Sequence, residues 1–108
     1  MNKQNIILIG MPGAGKSSVG VILAKVLGYE FIDTDLVIQH REKRLLREII
    51  ADEGNEGFLA IENEVNATLE ADKSVIAPGG SAIYGKEAME HFKEIGTIVY
   101  LKLSYEDL

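Results

Sequence analysis

The residues best suited to chemistry stand near the amino end, in the run Gly10-Met11-Pro12-Gly13-Ala14-Gly15-Lys16-Ser17-Ser18. The spacing is G-x-x-x-x-G-K-[ST], in which glycines let backbone N–H groups turn inward around the phosphates of a nucleotide. Gly10, Gly13, Ala14, Gly15, Lys16, Ser17 and Ser18 are therefore candidate nucleotide-binding residues. Lys16 is placed to reach the β/γ oxygens, and the Ser17 hydroxyl to ligate Mg²⁺. A helix starting at Lys16 would add the positive end of its dipole. The plainer alternative is a glycine-rich turn between strand and helix. Both flanks, however, are those that a phosphate loop requires.

A second group follows at Asp33-Thr34-Asp35. Two carboxylates one residue apart suit a split of labour, in which one holds water ligands of Mg²⁺ and the other orients or deprotonates an acceptor hydroxyl. The alternative is that Asp35 caps the next helix and Asp33 is a solvated strand end.

These groups need a frame, and the sequence supplies short β-type runs alternating with helical patterns. Asn5–Ile9 is an apolar run expected of a strand buried on both faces. Val19, Leu23, Val26 and Leu27 predict one inward face of a helix that Gly28 stops. Tyr29–Ile32 reads as a strand ending at Asp33. A charged amphipathic helix with Leu45, Leu46, Ile49 and Ile50 inward is broken by Gly54, and Phe58, Ile61, Val65 and Leu69 mark another. Ser74–Ala77 is a third strand, closed by Pro78-Gly79-Gly80. Ala88, Met89, Phe92 and Ile95 give a helix ended by Gly96, and Thr97–Leu103 a fourth strand. The alternation predicts an α/β fold, a parallel sheet with helices on both faces and ligands at the carboxyl ends of the strands. Ser104-Tyr105-Glu106-Asp107 fits a helix-capping pattern just before the sequence stops, so the 108 residues are expected to be a single, incomplete domain.

The net charge of −6 argues against a nucleic-acid or anionic-membrane surface, although a phosphate loop can still supply local positive potential. Without cysteine there are no disulfides or thiolate metal sites. The four apolar residues Ile6–Ile9 are too few for a signal-peptide core, and a cytoplasmic monomer is expected. His40 and His91 are expected on exposed helical surface rather than as metal ligands.

The phosphate loop, Phe31-Ile32-Asp33-Thr34-Asp35, the G-x-E-x-F-x-x-x-E stretch at Gly54–Glu62 and the Gly79-Gly80 turn together resemble shikimate kinase. The resemblance covers essentially the whole sequence. It implies a small kinase domain of the P-loop NTPase type that moves the γ-phosphoryl of ATP onto a ring hydroxyl of shikimate with Mg²⁺. Carried across, Gly13 to Ser18 would hold ATP and Ser17 the metal, with Asp33 acting on the metal through water. Asp35 would grip the acceptor hydroxyls as the candidate base, making Lys16 and Asp35 the catalytic pair. Gly79 and Gly80 would border the acceptor.

Three departures stand out. The family's substrate-binding arginine is replaced by Leu59, which leaves Glu62, resembling the acid that orients that arginine, without its partner. A solvated or capping glutamate is the alternative for Glu62. Either Arg41, Arg44 or Arg47 replaces the lost cation, or the acceptor differs, a gluconate-type acid or polyol; the remaining alternative is a nucleotide-binding module without transfer activity. The third glycine of the turn is Ser81, able to cap the following helix. The lid, last strand and last helix of the family have no counterpart in these 108 residues, so the piece as given is expected to bind nucleotide weakly and turn over little.

Overall fold

The computed structural model describes residues 4–10 and 16–101, with side chains described from Ser18 onward in the first helix. Among the described residues four strands form one parallel sheet: β1 (Asn5–Gly10), β2 (Glu30–Asp33), β3 (Ser74–Ala77) and β4 (Gly96–Leu101). Their order is β2-β3-β1-β4. The helices are α1 (Lys16–Leu27), α2 (Thr34–Glu42), α3 (Leu46–Ala67) and α4 (Lys86–Ile95), with a 3₁₀ turn at Ala82–Tyr84.

The strand order explains the layering. From β1 the chain crosses β3 to reach β2, and from β3 it crosses β1 in the opposite direction to reach β4. Right-handed crossovers in opposite directions put their helices on opposite faces. Leu8 and Val75 accordingly pack with Ala24 of α1, while Ile7, Ile9 and Ile76 pack with Phe92 and Ile95 of α4. β1 is apolar at successive positions because both of its faces are covered. A third cluster, Ile38, Ile49 and Val65, joins α2 to α3.

The predicted inward face of α1 is corrected. Val19, Val26 and Leu27 are exposed, Val26 at 77%, while Gly20 and Ala24 are buried and Leu23 is half-buried. Helix α1 is apolar almost all round, so periodicity does not choose its contact face. Close approach does: a Cβ on Gly20 would stand 2.5 Å from the Phe31 ring. Leu45 and Ile50 of the next amphipathic stretch are also more exposed than expected, whereas Ile49 is buried. Gly54 does break α3, with φ +76°, a conformation that costs a side-chain-bearing residue more than glycine.

Asn5 ends the sheet with a polar lock that its place in an apolar run did not announce. Its buried Nδ2 donates to Ala71 O and Ile95 O, both at 2.9 Å, and Oδ1 accepts from Ser74 N at 3.1 Å. Asn5→Ala would leave two carbonyls and one N–H of the sheet end unsatisfied. It is expected to cost about 2–4 kcal/mol in urea unfolding, and a cost under about 1 kcal/mol would contradict this role.

Candidate functional site

The sheet register sets Asp33 of β2 level with Ala77 of β3, so the two chain segments that follow emerge side by side at one carboxyl edge. β1 ends at Gly10 on that edge, and α1 begins at Lys16. Gly13, Ala14 and Gly15 lie outside the described residues, as do the side chains of Lys16 and Ser17; Ser18 is exposed. What is described is the strand end and the helix start on either side of such a loop, with the amino end of α1 at the ligand edge of the sheet.

The capping alternative is resolved in a different sense from either expectation. Asp33 is the N-cap of α2, and its Oδ1 accepts from Asp35 N at 2.9 Å. Asp35 lies in the first turn, half-buried, so it does not cap the helix. The cap leaves Oδ2 of Asp33 as the oxygen able to take water ligands of a metal, which fits a Mg²⁺ held mainly through water. No cluster of three or more metal-ligating side chains occurs among the described residues.

Asp35 meets a partner the spacing did not reveal. A Cβ built on Gly79 would stand 2.9 Å from Asp35 Oδ1 and 3.1 Å from Glu62 Oε2. Two carboxyl groups, one from α2 and one from the second half of α3, therefore converge over the bare backbone of Gly79. A side chain there would occupy the point where they meet and push the carboxyl groups aside.

Glu62 is neither solvated nor a cap: it is 2% exposed. Ser81 Oγ donates to its Oε1 at 2.8 Å, and Oε2 has no partner. Burial pushes the Glu62 carboxyl above the usual range, the Ser81 hydrogen bond opposes this, and the nearby Asp35 charge adds to the rise. Ser81 does not cap the following turn with its side chain, and at φ −90° it needs no glycine-like conformation. Two more buried polar groups went unnoticed in the sequence, Thr34 between the two aspartates and Asn66 one helical turn beyond Glu62. Oγ1 of the first and both side-chain polar atoms of the second lack hydrogen-bond partners. Alternation and spacing carry no signal for such atoms.

Two of the three arginines considered as substitutes are already held by carboxylates. Arg41 is paired with Glu64, and Arg44 with Glu42, Asp52 and Glu53 at 3.0, 3.1 and 3.3 Å. Arg47 is exposed in the first turn of α3. His40 is exposed as expected, but His91 is half-buried and donates from Nε2 to Leu69 O at 2.7 Å. No helix among the described residues is long and apolar enough to cross a membrane.

A family model for shikimate kinase matches residues 12–108. The chain belongs to the shikimate kinase family. It is 40% identical over 101 residues to shikimate kinase 2 of Yersinia enterocolitica, covering 94% of this chain and 58% of that protein. Among solved structures, shikimate kinase from Acinetobacter baumannii in complex with shikimate superposes with a TM-score of 0.87 at 38% identity, over 96% of this chain and 59% of that one. Shikimate kinase from Aquifex aeolicus gives 0.84 at 35% identity, over 95% and 62%. The chain thus spans about three fifths of the length of the shikimate kinases it matches.

Within this shikimate kinase framework, Leu59 is 36% exposed and lines a hollow of about 280 Å³ with Ser81, Tyr84 and Lys86. The Glu62 carboxyl lies on the same side of α3, one turn on.

The raised Glu62 carboxyl makes a pH prediction. The folded state binds this proton more tightly than the unfolded chain, so the group favours folding at low pH. That stabilisation is lost as pH rises from the unfolded value near 4.5 through the higher folded value. Glu62→Gln keeps an oxygen for Ser81 and removes the titration. Its stability relative to the native protein is expected to rise between pH 4.5 and neutrality in urea unfolding, and parallel pH curves would contradict the assignment.

Proposed function

We propose that the full natural protein transfers the γ-phosphoryl group of ATP to a hydroxyl of a small polyhydroxylated acceptor, and that shikimate, forming shikimate 3-phosphate, is the acceptor its family membership favours. The observation that carries this reading is the convergence of Asp35 and Glu62 over Gly79, on the sheet edge where β1 gives way to α1. The complex of a 38%-identical relative with shikimate supports it.

In this reading Gly10, Gly13, Ala14, Gly15, Lys16, Ser17 and Ser18 hold the ATP phosphates, with Lys16 on the β/γ oxygens. Ser17, and Asp33 through water, hold Mg²⁺, which supplies charge neutralisation on the phosphates when bound. Gly79 and Gly80 present backbone to the acceptor. Asp35 orients the acceptor hydroxyl and takes its proton as the O–H bond breaks. The acceptor oxygen forms its bond to the γ-phosphorus as the bond to the β–γ bridging oxygen breaks, leaving ADP. A monomeric enzyme in the cytoplasm, using neither nucleic acid nor membrane, belongs to the same proposal.

Leu59 favours a second reading, a related kinase for a different hydroxyl acceptor. An arginine fork to a carboxylate is charge-assisted, with hydrogen bonds of about 1.5–3 kcal/mol each, and leucine offers none. The test is steady-state ATP consumption by the full natural protein with and without shikimate. Acceptor-dependent consumption supports the kinase reading, and consumption that ignores every acceptor offered contradicts it.

A further inference from the structure

We infer that Ser81 is a positioning residue of the acceptor corner, its hydroxyl holding the Glu62 carboxyl so that the second oxygen stays over Gly79 beside Asp35. The inference rests on the kinase reading above and adds a residue to the acceptor side of that site. A glutamate side chain turns about three torsions, and the last of them has no sharp preferred value. A contact from outside the side chain must therefore fix the direction of its two oxygens. Ser81 Oγ does so, donating to Glu62 Oε1 at 2.8 Å. With one oxygen of a planar group held, the other can lie in few places. That other oxygen, Oε2, stands 3.1 Å from a Cβ built on Gly79, and Asp35 Oδ1 stands 2.9 Å from the same point.

The donor itself is held by its turn. Ala82 N donates to Gly79 O at 3.1 Å, Tyr84 N to Ser81 O at 3.1 Å and Gly85 N to Ala82 O at 3.0 Å. Gly79 and Gly80 carry no side-chain donor, so within Gly79-Gly80-Ser81 the serine alone can make this bond. Its hydroxyl makes no cap bond to the 3₁₀ turn, and its φ of −90° suits any residue. Ser81→Ala therefore removes the bond to Glu62 and leaves the backbone of the turn in place. The bond also has something to oppose: burial disfavours the charged Glu62 carboxyl, Ser81 favours it, and the Asp35 charge disfavours it again. Like charges meeting at one point push each other apart, and without Ser81 the Glu62 carboxyl loses the bond that keeps it there. A displaced Glu62 alters the point over Gly79 where an acceptor hydroxyl meets the two carboxyls, and small misplacements of this kind are costly. The nucleotide side, built where β1 gives way to α1, is not touched by the change.

The test is steady-state kinetics of the full natural protein, with shikimate as the acceptor probe and ATP varied separately. In Ser81→Ala, kcat/KM for shikimate is expected to fall about tenfold, chiefly through a higher KM, the size of one hydrogen bond to a charged group. KM for ATP is expected to stay within about twofold of native. Ser81→Thr, which keeps the hydroxyl, is expected to recover most of the loss. In a Glu62→Ala background, Ser81→Ala is expected to cost nothing further, because residues that act through one another do not add. A fall smaller than about threefold in Ser81→Ala overturns the inference. So does an equal rise in KM for ATP, a threonine variant no better than alanine, or a full additional loss in the Glu62→Ala background. Should Glu62→Ala fail to fold, the alanine and threonine variants of Ser81 decide. Each of these outcomes leaves the kinase reading intact. Native protein that leaves shikimate unphosphorylated overturns the inference together with the shikimate reading it rests on.

Discussion

Asp35→Asn is expected to lower acceptor phosphorylation by the full natural protein about 10²–10⁴-fold, the range for loss of a positioned general base. The substitution is nearly isosteric, so the space over Gly79 stays as it is. The α2 cap is untouched, because Asp33 provides the cap and Asp35 only its backbone N–H. Removing the Asp35 charge also relieves Glu62, whose carboxyl it helps to raise. The variant is expected to stay folded while losing kcat. An unchanged kcat, or a loss explained by unfolding in urea titration, would contradict the base assignment.

The second large effect is on stability. Phe92 is wholly buried, at 0% exposure, in the cluster of Ile7, Ile9, Ile76 and Ile95 that fastens α4 to the sheet. Phe92→Ala removes a large side chain from a site whose neighbours come from β1, β3 and α4, so the space cannot close by moving one element. The expected cost is about 3–5 kcal/mol, a large share of the 5–15 kcal/mol typical of a folded domain. It is read as a lowered urea midpoint with little change in slope. A loss under about 1.5 kcal/mol would mean that the cluster repacks around the cavity. The same helix carries Lys86 and follows the Ser81 turn, tied to α3 where Asn63 accepts from Ala88 N and donates to Glu87. Loosening it should disturb the acceptor corner as well.

Much of this arrangement was legible where composition and periodicity coincide. Ser74–Ala77 reads as a strand because four small or apolar residues run between turn residues, and that is where β3 lies. Ala88, Phe92 and Ile95 fall on one face of α4 and are buried there. Gly54 and Gly28 mark breaks, and both take positive φ. α1 was misread because residues on nearly every face are apolar, so only the close fit of Gly20 against Phe31 decides which face packs. Asn5 reads as part of an apolar strand run, yet its side chain is held in three long-range hydrogen bonds.

The site divides in the same way. The phosphate-loop spacing and the aspartate pair are local patterns, so the sequence displays them. Glu62 and Ser81 are 19 residues apart and meet only through the packing of α3 against the turn after β3, so spacing along the chain carries no sign of their contact. Leu59 was visible as a departure. Its consequence depends on the buried, half-satisfied carboxyl beside it, which only the fold brings out.

The three uses of a bound triphosphate (holding it, hydrolysing it and handing it on) separate in one measurement. The full natural protein is incubated with ATP labelled at the γ-phosphate and with acceptor, and the label is followed through the products. Label moving into an organic phosphate ester, and failing to do so in Asp35→Asn, is the predicted result. Label that stays in ATP, or appears only as inorganic phosphate, would contradict phosphoryl transfer at this site.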